Sequence, residues 1–150
     1  MNYFRQHARL VFLGILCLVI VASIVKRSTA TIGSINKADL SGPWQVTLID
    51  SMPGCGISTE RVNFTLNSSG LSTNATTVTH GSVCGDFTST GTFTITSLSS
   101  NGSGTAHLTV CTNPGCEFTF SIQVSPDRSV FNLVDITDPG NFWEGVAIHQ

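Results

Sequence analysis

Charged side chains are scarce in this chain, at 11% of 150 residues, against about a quarter in typical soluble domains. Basic residues are the scarcest: after residue 30, only Lys37, Arg61 and Arg128 stand against nine carboxylates. A domain with this balance repels phosphate backbones, which argues against nucleic-acid binding. Hydroxyl groups take the place of charge, with 15 Ser and 17 Thr between residues 41 and 150. They keep outer strand faces polar, as suits an exported β protein.

Helical periodicity is also missing, since no stretch repeats apolar residues every three to four positions. The chain instead alternates apolar and polar residues in short stretches. In the first of them, Trp44, Val46 and Leu48 share one face. The clearest is 117–124, where every second residue is apolar from Phe118 onward. These patterns predict half-buried β-strands.

Eight such strands, the last at residues 142–149, predict an all-β fold. Turn signals separate them, among them Asn-Ser-Ser-Gly at 67–70 and Asn-Gly-Ser-Gly at 101–104. Because no connection is long enough for a Greek-key crossing, the pattern favours an antiparallel eight-stranded up-and-down barrel whose last strand pairs with the first. The alternative is a two-sheet β-sandwich, which would produce the same alternation.

The N-terminal segment is interpreted as a targeting signal and not as part of the fold. After a short basic start, residues 10–25 form a run of 16 nearly all apolar positions. As a helix, this run would rise about 24 Å, less than the roughly 30 Å of a bilayer core. Ser28 and Ala30 then supply the small residues that signal peptidase requires. A signal peptide cut after Ala30 is the first interpretation; an uncleaved signal anchor is the alternative, because Lys26 and Arg27 resemble a membrane-interface stop.

Three parts of the chain follow from this interpretation. Residues 1–30 are predicted to be the signal peptide or signal anchor, 31–38 a short linker, and 39–150 a single β-barrel domain. The predicted location is exported: periplasmic, extracellular or surface-anchored. Only the N-terminal segment is expected to contact a membrane.

Four cysteines fall in the predicted domain: Cys55, Cys84, Cys111 and Cys116. An even number in an oxidising compartment predicts two disulfides, with three possible connectivities. Cys111 and Cys116 flank a four-residue loop, so the preferred pairs are Cys111–Cys116 and Cys55–Cys84. Alternation places Cys111 outward and Cys116 inward, which predicts a β-bulge beside their loop. A four-thiolate zinc site is disfavoured, because it needs two close pairs and the chain offers one loose pair.

Catalytic and metal-binding patterns are not found. His80, His107 and His149 are the domain's histidines, and their spacing suits polar positions on strands better than a metal site. No nucleophile motif or phosphate-binding glycine loop appears. A glycosidase-type pair of Glu117 and Glu144 can be imagined, but alternation points Glu117 outward. We therefore expect no enzyme activity, cofactor or metal.

Gly42-Pro43-Trp44 at the head of the first strand, followed by hairpin-connected strands, resembles the lipocalin and wider calycin pattern. The resemblance implies a β-barrel in which Trp44 packs across the closed end. It also implies a non-catalytic carrier that encloses a small apolar ligand.

A ligand inside such a barrel would contact the inward residues. An eight-stranded barrel is just wide enough to be filled by its own side chains or to hold one small ligand. No charge is found on the inward positions, so a cavity is expected to prefer neutral apolar molecules. The predicted lining is Trp44, Val46, Leu48, Phe64, Phe93, Ile95, Leu108, Phe118, Phe120 and Ile122.

Two functions are compatible with these observations. The first is an exported, disulfide-stabilised, non-catalytic β-domain with a filled core and a surface or protein-interaction role. An exposed apolar patch from Phe131, Leu133, Phe142 and Ile148 would favour it. The alternative is a lipocalin-like carrier of a small apolar ligand, which a void of a few hundred Å³ would favour. The expected partner is thus an unknown protein or a small apolar molecule.

Overall fold

The sheet closes on itself. The computed structural model describes residues 33–52, 54, 56–110, 116–137 and 142–150. Each strand pairs antiparallel with the next, and the last pairs with the first, so the strands form a closed barrel. The prediction of an eight-stranded up-and-down barrel is confirmed, and the sandwich is excluded. The strands are β1 Gly42–Met52, β2 Gly56–Leu66, β3 Leu71–Gly81, β4 Gly85–Leu98, β5 Ser103–Thr109, β6 Glu117–Val124, β7 Val130–Asp135 and β8 Phe142–His149.

The predicted signal segment, residues 1–30, lies outside the described residues, as does the start of the predicted linker. From Gly33 onward, the chain forms one compact unit. Ile35 is buried in the barrel core, and the 3-10 helix Lys37–Leu40 follows it. The second half of the predicted linker therefore packs as part of the barrel. The described ranges contain no candidate membrane-spanning helix.

The central part of each strand forms where the alternation predicts it. In β6, Phe118, Phe120 and Ile122 are buried, while Ser121 and Gln123 are exposed. Burying each of these large apolar side chains stabilises the fold by about 2 kcal/mol. This gain is available only if every second residue faces the same interior, and that condition fixes the register of each strand.

Asparagine side chains shape two of the turns. The Oδ1 atom of Asn67 accepts hydrogen bonds from the backbone N–H groups of Ser69 at 2.9 Å and Leu71 at 3.0 Å. Gly70 adopts φ +79° in this turn, a left-handed conformation that other residues rarely reach. Asn101 makes the corresponding bond in the turn between β4 and β5. The two turn signals in the sequence thus act through side-chain hydrogen bonds.

The predicted bulge beside the Cys111–Cys116 loop is absent from the described part of that hairpin. The register of β5 and β6 is regular throughout, and the Val110 N–H donates to the Cys116 carbonyl at 3.0 Å. Cys116 therefore lies opposite Val110, which removes the conflict that led to the prediction. Irregular register occurs instead at Ser72–Ala75 in β3 and at Ile95–Ser97 in β4.

Trp44 closes one end of the barrel, which we call the Trp44 end. Its indole Nε1–H donates to the Leu40 carbonyl at 2.8 Å and ties the 3-10 helix to the core. The Phe131 ring packs against the indole, with the ring centroids 4.8 Å apart. His149, near the C-terminus, packs edge-on at the same centroid distance. Trp44 thus has the position that the lipocalin resemblance implies.

The interior next to the Trp44 end is filled. Phe64 and Phe93 stack with their centroids 4.2 Å apart, and nearby side chains close the remaining space. The gap at the centre has no room for a water molecule. It is lined by Val46, Leu48, Val62, Phe93, Leu108, Phe120 and Leu133.

Gly91 in β4 provides a test of the strand packing. A Cβ atom there would overlap the carbonyl oxygen of Thr109 on β5. We expect Gly91→Ala to lower the free energy of unfolding by about 2 kcal/mol or more, because strand backbones must separate to admit a methyl group. Urea unfolding measures this. The control is Gly33→Ala, whose Cβ would meet only the Arg128 guanidinium at 3.4 Å; equal midpoints for the two variants would contradict the packing.

Candidate functional site: the acidic end of the barrel

Two fully buried carboxylates face the barrel interior. Residues 51–56 contain proline and glycine, which predict a loop. β1 nevertheless extends to Met52 and β2 begins at Gly56. The continued alternation turns Asp50 and Glu60 inward, where they are 0% and 4% exposed. The expectation of an inner face without charge is therefore wrong. Alternation does identify Asp50 and Glu60, provided that the strands are followed to their true ends.

The two carboxylates lie close together on neighbouring strands. Asp50 pairs with Ser58, and Glu60 pairs with Leu48, so Asp50 and Glu60 are diagonal neighbours on the inner face. The Ser58 hydroxyl donates a hydrogen bond to Asp50 Oδ1. The Thr79 hydroxyl on β3 donates to Glu60 Oε1 at 2.9 Å. Each carboxylate thus has one oxygen held by a hydroxyl group.

The second oxygen of each carboxylate is buried without a hydrogen-bond partner. The same is true of Asp135 Oδ2, Ser89 Oγ and Trp143 Nε1 within the described part of the chain. More than about nine in ten buried polar groups in proteins are hydrogen-bonded. All five atoms belong to the end of the barrel away from Trp44, so this end is where another molecule can supply the missing bonds.

Aromatic rings adjoin the carboxylates. The Phe118 ring stacks on Trp143, with centroids 4.0 Å apart and planes 20° apart. Trp143 pairs with Asp50 across β8 and β1, and it is 2% exposed. We call the inner surface formed by Asp50, Glu60, Asp135, Phe118 and Trp143 the acidic end. It combines hydrogen-bond acceptors with aromatic side chains, the two kinds of group that line small-molecule sites.

The environment of Glu60 changes its protonation. Burial raises the pKa of Glu60 to about 7; the Thr79 hydrogen bond opposes the rise, and the negative charge of Asp50 adds to it. Glu60 therefore exchanges a proton close to neutral pH. A buried carboxylate pair of this kind can hold one proton or accept a cation in its place.

The ten predicted lining residues lie in different parts of the interior. All ten are buried. Five of them line the gap that has no room for water, so no ligand fits between those side chains in this structure. Phe118 lies at the acidic end. The five around the filled gap are Val46, Leu48, Phe93, Leu108 and Phe120.

Cys84 and Cys116 are not free thiols, and neither titrates. They lie at the acidic end of the barrel, since Cys84 falls between β3 and β4 and Cys116 directly precedes β6. Their predicted partners, Cys55 and Cys111, lie outside the described residues. The pairings Cys55–Cys84 and Cys111–Cys116 therefore stay predictions.

The histidines of the domain do not converge. His80 Nδ1 lies 3.1 Å from a carboxylate on β4 at the surface, His107 contacts Glu117 at 3.9 Å, and His149 lies at the Trp44 end. In the described ranges, no three His, Cys, Asp or Glu residues form a group that could hold a metal ion. Glu117 and Glu144 are exposed on strands separated by β7, so they do not form a catalytic pair.

Comparisons with known proteins find similarity only among solved structures. No family model and no curated protein matches the chain. A de novo designed fluorescence-activating β-barrel is 13% identical, with a TM-score of 0.49, and the match covers 77% of this chain and 99% of that chain. A biogenic amine-binding protein is 16% identical, with a TM-score of 0.46, and the match covers 81% of this chain and 71% of that chain. The S-type phycobiliprotein lyase CPES from Guillardia theta is 8% identical, with a TM-score of 0.38, and the match covers 75% of this chain and 89% of that chain.

The pKa of Glu60 predicts a pH dependence of stability. Between about pH 4.5 and pH 7, the unfolded chain has lost this proton while the folded chain retains it. The free energy of unfolding should therefore fall by about 3 kcal/mol as pH rises through this window, and then level off. Glu60→Gln should remove the fall.

Urea unfolding of the wild-type chain and Glu60→Gln across this pH range is the measurement. Glu144→Gln is the matched control, because it removes an exposed carboxylate of the same type and should preserve the wild-type pH profile. Parallel profiles for the wild-type chain and Glu60→Gln would show that Glu60 is not the group responsible.

Proposed function

We propose that this chain is an exported, non-catalytic, lipocalin-like carrier that holds a small ligand at the acidic end of its barrel. The observation that carries the proposal is the group of five buried polar atoms without partners at this end. Each such atom costs about 1–3 kcal/mol if it stays unpaired. A bound molecule that supplies these hydrogen bonds would recover this free energy, which gives the site a reason to bind.

The chemistry of the acidic end changes the expected ligand. Asp50 and Glu60 place acceptors on the inner face, so a purely apolar ligand would leave their free oxygens without partners. A ligand that fits must donate hydrogen bonds and also present an apolar surface to Phe118 and Trp143. The proposed ligand is therefore amphipathic rather than purely apolar.

The absence of catalysis is part of the proposal and rests on the neighbours of the carboxylates. Ser58 donates to Asp50, but His80 and His107 pair with surface carboxylates and His149 packs at the Trp44 end. None of these imidazoles is bonded to the Ser58 hydroxyl. Export is inferred from the sequence alone, through the N-terminal segment and the even number of cysteines in the domain.

The second candidate is the surface or protein-interaction role. An exposed apolar strip on the outer faces of β1, β7 and β8 favours it, and a shallow depression of about 490 Å³ lies on this strip. Of the four residues predicted for such a patch, Phe142 and Ile148 are exposed, but Phe131 and Leu133 are buried. Phe131 and Leu133 are predicted to be exposed, but they occupy the inward positions of β7. The strip consists of Ile49, Val134, Phe142, Val146 and Ile148.

Native mass spectrometry of the full chain, produced by export, tests the carrier proposal. We expect a mass in excess of the polypeptide that disappears on denaturation. Trp143→Leu should reduce the bound fraction about tenfold, because it removes the aromatic wall and an indole donor. Ile49→Thr is the control: its side chain is 52% exposed on the outer face, and it should leave the bound fraction unchanged.

A bare mass, with no uptake from a pool of small amphipathic molecules, would contradict the carrier. The outer apolar strip would then be the part of the molecule to investigate. Equal losses of ligand in Trp143→Leu and Ile49→Thr would show that the ligand does not bind at the acidic end.

A further inference from the structure

The acidic end carries negative charge without a compensating cation. Asp50 and Glu60 are nine-tenths or more buried, and buried carboxylates are normally paired with a positive group. No basic side chain of the described residues faces them. Lys37 and Arg128 bond at the Trp44 end, and His149 packs there against Trp44. Arg61 and His80 adjoin this end but are exposed, and His107 pairs with Glu117. The described basic residues are Lys37, Arg61, His80, His107, Arg128 and His149.

The free oxygens specify what a ligand must supply. Asp50 Oδ2 and Glu60 Oε2 are buried acceptors without partners. A hydroxyl group on a ligand could bond to one of them but would leave the charge uncompensated. An ammonium group has up to three N–H donors and a positive charge, so it meets both requirements.

The aromatic pair adds an independent preference. The face of an aromatic ring attracts a cation, by about 0.5–2 kcal/mol depending on desolvation. Phe118 and Trp143 are stacked beside the carboxylates, so the same surface can pack against the organic body of the ligand. Trp143 Nε1 is a buried donor without a partner; it can donate to an acceptor on that body.

We propose that the acidic end binds a small organic ammonium ion, with Asp50 and Glu60 as counter-charges and Phe118 and Trp143 as the apolar wall. The inference rests on the proposed carrier function and specifies its ligand class. An oxygen elsewhere on the ligand, such as that of a hydroxyl group, would accept a hydrogen bond from the indole N–H of Trp143.

Proton and ammonium ion compete for the same carboxylates. Asp50 on β1 and Thr79 on β3 act directly on Glu60, and Asp135 on β7 belongs to the same inner surface. The adjacent Arg61 and His80 are exposed. Binding of the cation must therefore ionise Glu60 and release its proton. Affinity should fall as pH decreases through neutrality, although the ammonium group of the ligand stays protonated throughout.

Isothermal titration calorimetry of the full exported chain with two matched probes tests the inference. The probes are 2-phenylethylamine and its neutral analogue 2-phenylethanol. At about pH 8, the amine should bind at least about tenfold more tightly than the alcohol. Its affinity should fall about tenfold or more by about pH 5, while that of the alcohol should not change. Near neutral pH, titration in two buffers of different ionisation enthalpy should show proton release for the amine only.

Isosteric variants locate the site. Asp50→Asn and Glu60→Gln should each weaken amine binding about tenfold or more, since each removes one counter-charge and keeps the side-chain shape. Neither should lower the free energy of unfolding at about pH 8, because each removes a buried charge. A misfolded variant is thereby distinguished from one that has lost its counter-charge. Glu144→Gln removes an exposed carboxylate at the same end of β8 and should bind the amine normally.

Equal affinity for the two probes, without pH dependence, would overturn the ammonium inference and leave the carrier function in place. Failure to bind either probe would also overturn it, while a ligand detected by native mass spectrometry would still support the carrier. A preference for the amine that survives both Asp50→Asn and Glu60→Gln would place the cation elsewhere and overturn the assignment of the site.

Discussion

The pairing of β1 with β8 is the constraint on which the rest of the structure depends. It joins eight residues of each strand, from Trp44 opposite His149 to Ser51 opposite Phe142. This closure gives every strand two neighbours, an inner face and an outer face. Since Trp44 and Asp50 are an even number of positions apart on β1, closure that buries the indole also buries the carboxylate. The apolar core and the acidic end are therefore two consequences of one register.

The interior is apolar and filled near Trp44, and it holds buried carboxylates at the other end. Near Trp44, aromatic and aliphatic side chains fill the space, and the central gap admits no water. Each fully buried side chain of this kind stabilises the fold by about 1.5–3 kcal/mol. At the other end, burial of Asp50 and Glu60 opposes folding, since the effective penalty is several kcal/mol for each buried charge. The filled half supplies the stability that lets the other half remain incompletely satisfied.

The sequence predicts the barrel better than it predicts the site, and the reason is physical. Alternation arises because one face of a strand meets the core and the other meets solvent. The residue types themselves show which face is which, as Phe118 and Phe120 do. Strand ends depend on partners that one sequence does not show. The run Ser51 to Gly56 contains proline and glycine, which argue for a loop, yet β1 and β2 remain paired up to Met52 and Gly56. That extension places Glu60 inside the barrel, and the same parity argument correctly places residues closer to the strand centres.

A barrel selected for stability alone would have little reason to retain two inward carboxylates. Replacing buried charges by apolar groups of similar size is often neutral or stabilising by about 1–4 kcal/mol. Proteins retain such unfavourable groups mainly at functional sites. There, a bound ligand can supply the hydrogen bonds or charges that the folded chain alone does not provide. The Glu60 carboxylate, with its pKa raised to about 7 by burial, has this character, because a proton keeps it neutral and the proposed cation would keep it charged. A response of Glu60 to a cation, more than the shape of the barrel, would therefore distinguish a carrier from a filled structural module.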